Sequence, residues 1–108
     1  MVYPEYNIVD NEVVITLSGS LQGELAVSVR EAVLKYIAKG YSHFTMDFSK
    51  VTSINATGLG MLVNIEKRAR QNDGAVILLG LGNAVQEAFD RTRLTKAFTI
   101  VGSKPSVA

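Results

Sequence analysis

Hydroxyl and amide side chains crowd one short stretch of this chain. Between Asp47 and Leu62, which reads DFSKVTSINATGLGML, stand Ser49, Thr52, Ser53, Asn55 and Thr57, followed by Gly58 and Gly60. Phe44, Met46 and Phe48 alternate just before it and predict a strand, whereas the apolar spacing after it predicts an amphipathic helix. The polar residues are therefore expected in a loop that opens a helix. The first N–H groups of a helix lack intrahelical partners and carry partial positive charge. A phosphorylatable hydroxyl, a bound phosphate or a partner's carboxylate would be stabilised there. Taken singly, each of these side chains could be only a cap or turn residue, with capping contributing about 1 kcal/mol. Their density at one junction argues for more.

Other chemistries fit less well. A Walker loop needs Lys-Ser/Thr after its second glycine, and Met61-Leu62 stand there instead. A dinucleotide fingerprint needs a third glycine where the chain has Val63. Gly58 and Gly60 are read as letting the helix start pack close to the sheet. His43 is the only histidine and opens a strand, at the far end from the polar loop, so neither a metal cluster nor a Ser-His-Asp triad is expected. Asp47 is the one candidate general base near the loop, and no carboxylate pair for a metal is visible. Arg91, Arg93 and Lys96 carry no interleaved aromatics, and the formal net charge is only +1, so no nucleic-acid partner is expected.

The elements that must position the loop follow from periodicity. Tyr6–Val9 and Val13–Ser18 predict two strands joined at the tight turn Asp10-Asn11. Gly19–Gly23 is expected to break the second strand. A helix over Glu24–Ala38 follows, with Leu25, Val29, Val33, Tyr36 and Ile37 inward and Gly40 as its stop. His43–Phe48 is the third strand. In the next helix Leu59, Leu62, Val63, Ile65 and Ala69 should face the core, with Glu66, Lys67, Arg68 and Arg70 solvated. Ala75–Leu79 is continuously apolar, which predicts a strand covered on both sides. Asn83 and Gln86 resemble a capping box opening a short helix to about Arg91, with Val85, Ala88 and Phe89 inward. Phe98–Val101 is a last strand; Met1–Glu5 reads as a loose lead-in and Gly102–Ala108 as a frayed tail. The order is β-β-α-β-α-β-α-β, an α/β class with parallel pairing after the first hairpin. The 108 residues are expected to form one domain. With no cysteine there is no disulfide or thiol chemistry, and the amino-terminal residues do not read as a signal peptide. No apolar run reaches the ~18–20 residues of a membrane helix, so no direct membrane insertion is expected.

Taken together, Gly19-Ser20-Leu21, Asp47-Phe48-Ser49, Thr57-Gly58-Leu59-Gly60 and the late stretch AFDRTRLTKAFTI occur in an order and spacing that resembles the STAS domain. This is the fold of bacterial anti-sigma factor antagonists and of the cytoplasmic tails of sulphate transporters. The resemblance covers nearly the whole chain. It implies a central mixed sheet of four to five strands with three main helices. It also implies a cytoplasmic binding module without cofactor or metal, rather than an enzyme. In such antagonists the second helix opens Asp-Ser-Ser/Thr-Gly-Leu-Gly, and an anti-sigma kinase phosphorylates the first serine. The unmodified form holds the kinase and frees the sigma factor; the phosphorylated form lets go.

This sequence departs at that position. Asn55 stands where the family has aspartate, Ala56 where it has the phosphorylated serine, and Gln22 where many members carry another aspartate. Alanine has no oxygen to modify, and the three changes together read as natural divergence. The resemblance therefore implies docking of an anti-sigma, serine kinase-like protein through Gln22, Ser53, Asn55, Ala56, Thr57, Gly58, Leu59 and Gly60. Either the usual switch is absent, or Thr57 or Ser53 serves as a substitute acceptor. The alternative is a STAS subunit of a stress-signalling complex, or the cytosolic accessory subunit of a lipid or anion transporter. Pairing of two copies through exposed sheet or helix surfaces is a further expectation.

Overall fold

The structure, a computed structural model, describes residues 3–102. The expected tail beyond Gly102, and Met1 and Val2 of the lead-in, lie outside the described residues. Strand β1 (Glu5–Val9) turns back through Asp10 and Asn11, both at positive φ, into β2 (Glu12–Leu21). Helix α1 (Gly23–Ala38), β3 (His43–Ile54), α2 (Ala56–Gln71), β4 (Ala75–Leu79), α3 (Asn83–Arg91), a single 3-10 turn (Thr95–Ala97) and β5 (Thr99–Val101) follow. The sheet runs β1-β2-β3-β4-β5 in sequence order, antiparallel at the first pair and parallel thereafter. This is the mixed α/β architecture that the residue patterns and the resemblance both imply.

A monotonic strand order has a consequence for layering. Right-handed crossovers that always step the same way lay every helix on one face of the sheet. The burial pattern agrees. Val13, Ile15, Leu17, Phe44, Met46, Phe48, Val76 and Leu78 share one face by register, and none is more than 1% exposed. Val29, Val33, Leu62, Ile65, Val85 and Phe89 of the three helices close the core over them. The opposite face carries Val14, Thr45, Ile77 and Leu79, each only partly buried. The expectation that β4 is covered on both sides is thus corrected. Its unbroken apolar run reflects β propensity on a half-open face rather than two covering layers.

Two further expectations change at the strand ends. Gly19–Leu21 does not break β2, and Ser49–Ile54 is not a loop. Both segments stay paired past two irregularities, one before Ser18 and one between Gly19 and Ser20: Ser18 with Lys50, Gly19 with Val51, Ser20 with Ser53 and Leu21 with Ile54. Between Thr16–Ser18 and Asp47–Lys50 the third strand spends one extra residue, a bulge that re-aims the strand. The Asp47 carboxylate accepts from the Ser49 N–H at 2.9 Å across it. Leu21 and Val51, 0% and 6% exposed, anchor the extension.

On α2, Glu66 is buried at 7% exposure instead of solvated, and Val63 is 41% exposed instead of inward. Met61 takes the inward place expected for Val63. One Glu66 oxygen accepts from Arg70 Nε one turn later; the other is buried without a hydrogen-bond partner. At α3 no capping box forms. Gly82 is the N-cap, Asn83 is already helical, and no side chain caps the end. The last strand is shorter than expected, because Thr95–Ala97 turns first and Phe98 packs edge-on to Phe89 with ring centroids 5.6 Å apart.

Candidate functional site

The start of α2 sits where the extended β2 and β3 end together. Asn55 is extended, its side chain accepts from the Gly58 N–H at 3.0 Å, and its carbonyl accepts from Leu59 N at 2.9 Å. Of the five candidate capping residues, Asn55 therefore does the capping, an N-cap bond of the usual kind. The first turn contains no acidic residue, so the positive end of the helix is not neutralised from within.

Gly58 explains how close this end approaches the sheet. A Cβ added there would stand 2.3 Å from the Leu21 carbonyl oxygen and 2.7 Å from Ile54 Cγ1. Only glycine permits the contact, and it ties α2 to the segment carrying Gln22. Gly60 differs: a Cβ there would meet nothing within 4 Å, so the packing role expected of both glycines belongs to Gly58 alone.

The structure brings the expected site residues onto one end of the molecule. Gln22, Ser53, Asn55, Ala56, Thr57 and Gly60 are exposed, whereas Gly58 and Leu59 face inward and shape the surface from beneath. Ser53 is not in a loop but near the end of β3, with its hydroxyl 2.7 Å from that of Ser20. The Thr57 side chain stands between two shallow depressions that run along the junction of α1 and α2. One, of about 210 Å³, is lined by Ala26, Arg30, Met61 and Asn64. The other, of about 480 Å³, is lined by Gly23, Glu24, Ser28 and Glu31, and both include Val27, 43% exposed. The rim thus combines one cation, two carboxylates and an apolar ledge.

Sequence reasoning missed the α1 side of this surface. Val27, Arg30 and Asn64 belong to different helices, and only the α1–α2 packing brings them beside Thr57. Ala56 presents a methyl group to solvent at the first helical position. Lys50, on the extension, donates to the Tyr3 hydroxyl at 2.8 Å, a bond that raises its pKa. His43 lies at the other end of β3, exposed, with Nδ1 3.4 Å from the Ser42 hydroxyl. No group of three or more metal-ligating side chains occurs among the described residues.

An anti-sigma-B factor antagonist of Listeria monocytogenes is 29% identical over 86 residues, covering 80% of this chain and 75% of its own. The crystal structure of a Thermotoga maritima protein assigned to the anti-sigma factor antagonists superposes with a TM-score of 0.86 at 28% identity. It covers 94% of this chain and 87% of that one. A sulfate transporter family protein of Wolinella succinogenes shares the fold at a TM-score of 0.74 and 17% identity, over 89% of this chain and 81% of that one. A model of the STAS domain family matches residues 3–107, and the chain belongs to that family.

Proposed function

We propose that this chain is an anti-sigma factor antagonist-type binding module, without catalytic activity, that docks an anti-sigma kinase-like protein in the cytoplasm as a single domain. The observation that carries this reading is the exposed start of α2, where Asn55, Ala56 and Thr57 stand beside Gln22 and Ser53 over the α1–α2 groove. Similarity to named antagonists supports the partner class. With Ala56 at the serine position, docking is not reversed by modification there.

Thr57 is the better of the two substitute acceptors. It is exposed and lines both depressions, whereas the Ser53 hydroxyl is engaged with Ser20. A phosphate on Thr57 would add about −1.5 to −2 charges at a helix start that has no acid of its own. The helix end and Arg30 would stabilise that charge and offset the repulsion from Glu24 and Glu31 across the second depression. The penalty would therefore fall on the interface with a partner rather than on the fold.

The test pairs the chain with the anti-sigma kinase-like protein encoded in its own genome. Binding is expected without ATP, and with ATP it persists unless Thr57 is modified; Ala56→Glu should weaken it at least tenfold, whereas Ala56→Ser should not in the absence of ATP. Intact-mass measurement after incubation with kinase and ATP tests the substitute acceptor: a single phosphate lost in Thr57→Ala assigns it to Thr57. Co-purification with a membrane ATPase or permease in place of a kinase would replace this reading with the transporter-subunit one.

A further inference from the structure

The far flank of α1 from Thr57 carries a second surface. Strand β1 is an edge of the sheet, and among the described residues no strand pairs with its outer side. Every second residue of such a strand turns its N–H and C=O outward. Edge strands are commonly blunted by lysine, an internal proline, a bulge or a covering element. Residues Glu5–Val9, EYNIV, pair with β2 in unbroken register and carry no positive charge and no proline, with Ile8 and Val9 49% and 55% exposed.

By register Tyr6 and Ile8 lie on the helix side of the sheet, opposite Ile15 and Val13. There α1 stands back from the edge and leaves a depression of about 220 Å³ lined by Tyr6, Ala32, Lys35, Tyr36 and Lys39. The Tyr6 and Tyr36 rings meet at 6.0 Å and form its apolar wall. The Tyr6 hydroxyl oxygen is buried and has no hydrogen-bond partner. Lys35 and Lys39 are exposed, one helical turn apart, and neither has an ion-pair partner among the described residues. Their place at the carboxyl end of α1 suits the helix dipole. It does not account for two like charges that repel at this spacing.

We propose that β1 and this depression accept an extended segment of a partner protein, added as a sixth strand, with an acidic side chain between Lys35 and Lys39 and an apolar one against Ile8. The backbone groups of β1 supply the pairing, the mode known as strand addition. The carboxylate answers the two ammonium groups. A strand's alternate residues repeat at about 6.8 Å. Lys35 and Lys39 lie about 6 Å apart along the helix axis. Because α1 crosses back from β2, it runs in the same direction as β1, so the two repeats lie side by side. A second copy of this chain is a poorer occupant, because β1 pairing with its own copy across a two-fold axis near Asn7 would bring the lysines of both copies together.

The probe is a blocked heptapeptide with valine, glutamate and valine at its second, fourth and sixth positions and threonine elsewhere, titrated into the 15N-labelled full chain. At millimolar peptide the amides of Glu5–Val9 and Tyr36 are expected to shift and those of Ala56–Gly60 to stay. Replacing the glutamate by lysine should weaken binding at least tenfold. The double variant Lys35→Glu, Lys39→Glu, at exposed positions that leave the core untouched, should reverse that preference. The proposal is overturned if the β1 amides do not respond, if both peptides bind alike, or if the double variant keeps the wild-type preference. It is equally overturned if the same amides shift with protein concentration alone, which would make a second copy the occupant.

Discussion

One substitution made at two positions two residues apart should have opposite effects. Gly58→Ala and Gly60→Ala both replace glycine by the best helix former inside α2, a gain of about 1 kcal/mol each on propensity alone. At Gly60 the new methyl group meets nothing within 4 Å, so that gain should be realised. At Gly58 it would meet the Leu21 carbonyl at 2.3 Å, and no side-chain rotation can move a backbone oxygen aside. Either α2 lifts from the sheet, straining the Asn55 cap on Gly58 N, or the end of β2 bends away. Overpacking of this kind costs about 1–3 kcal/mol, and a clash with backbone belongs at the upper end. Subtracting the propensity gain leaves Gly58→Ala about 2 kcal/mol less stable. For a domain of this size, about 1 kcal/mol moves the midpoint by about 4–8 °C. Thermal and urea unfolding followed by circular dichroism should therefore show Gly58→Ala falling by about 8–16 °C and Gly60→Ala rising by up to about 8 °C. If Gly58→Ala is as stable as the parent chain, the close approach of α2 to β2 is wrong, and with it the joining of Gln22 and Thr57 into one surface.

Other perturbations can be read the same way. Asn55→Ala removes the cap on Gly58 N and should cost about 1 kcal/mol, whereas Asn55→Asp should keep the bond and add about 0.3–1 kcal/mol at a helix start without acids; urea midpoints decide both. Burial, and secondarily the neighbouring Tyr36, raises the pKa of Tyr6 above 10.0. The native state then holds a proton that the unfolded chain releases, so this contribution is full below pH 10 and is lost as pH climbs through the folded value. Tyr6→Phe should accordingly flatten the fall in melting temperature above pH 10 compared with the parent chain. Glu66→Met removes a buried carboxylate oxygen without a hydrogen-bond partner among the described residues and should raise the urea midpoint, or at worst leave it unchanged, because Arg70, which pairs with the other oxygen, is 62% exposed. A clear loss of stability in Glu66→Met would show that the buried oxygen is satisfied.

Much of this architecture was legible because periodicity is a local property. The β2 alternation of Val13, Ile15 and Leu17, the helical spacing of Val29 and Val33, and the Asp10-Asn11 turn each specify their element within a few residues. What misled was polarity near the strand ends. Ser49–Ile54 and Gly19–Leu21 look like loops when read alone, since serine and glycine are poor strand formers. Their pairing depends on partners about thirty residues away in the chain, Ser20 with Ser53 and Leu21 with Ile54. Glu66 misled for the opposite reason. A charged residue in a run of charges reads as solvated, and only the packing of α2 on its neighbours covers it.

The residues by themselves determined one thing about the site that no folding could alter: Ala56 has no side-chain hydroxyl, so that residue cannot be phosphorylated, because the capacity to be modified is covalent. They also determined the strand and helix order, since the two periods of hydrophobicity are written locally. The tertiary structure alone decided that the two glycines of one motif have different roles, that a monotonic strand order leaves one sheet face without helices, and that Thr57 looks into a groove built half by α1. These depend on how close distant backbones approach, and that distance is set by packing between elements rather than by any segment's own pattern.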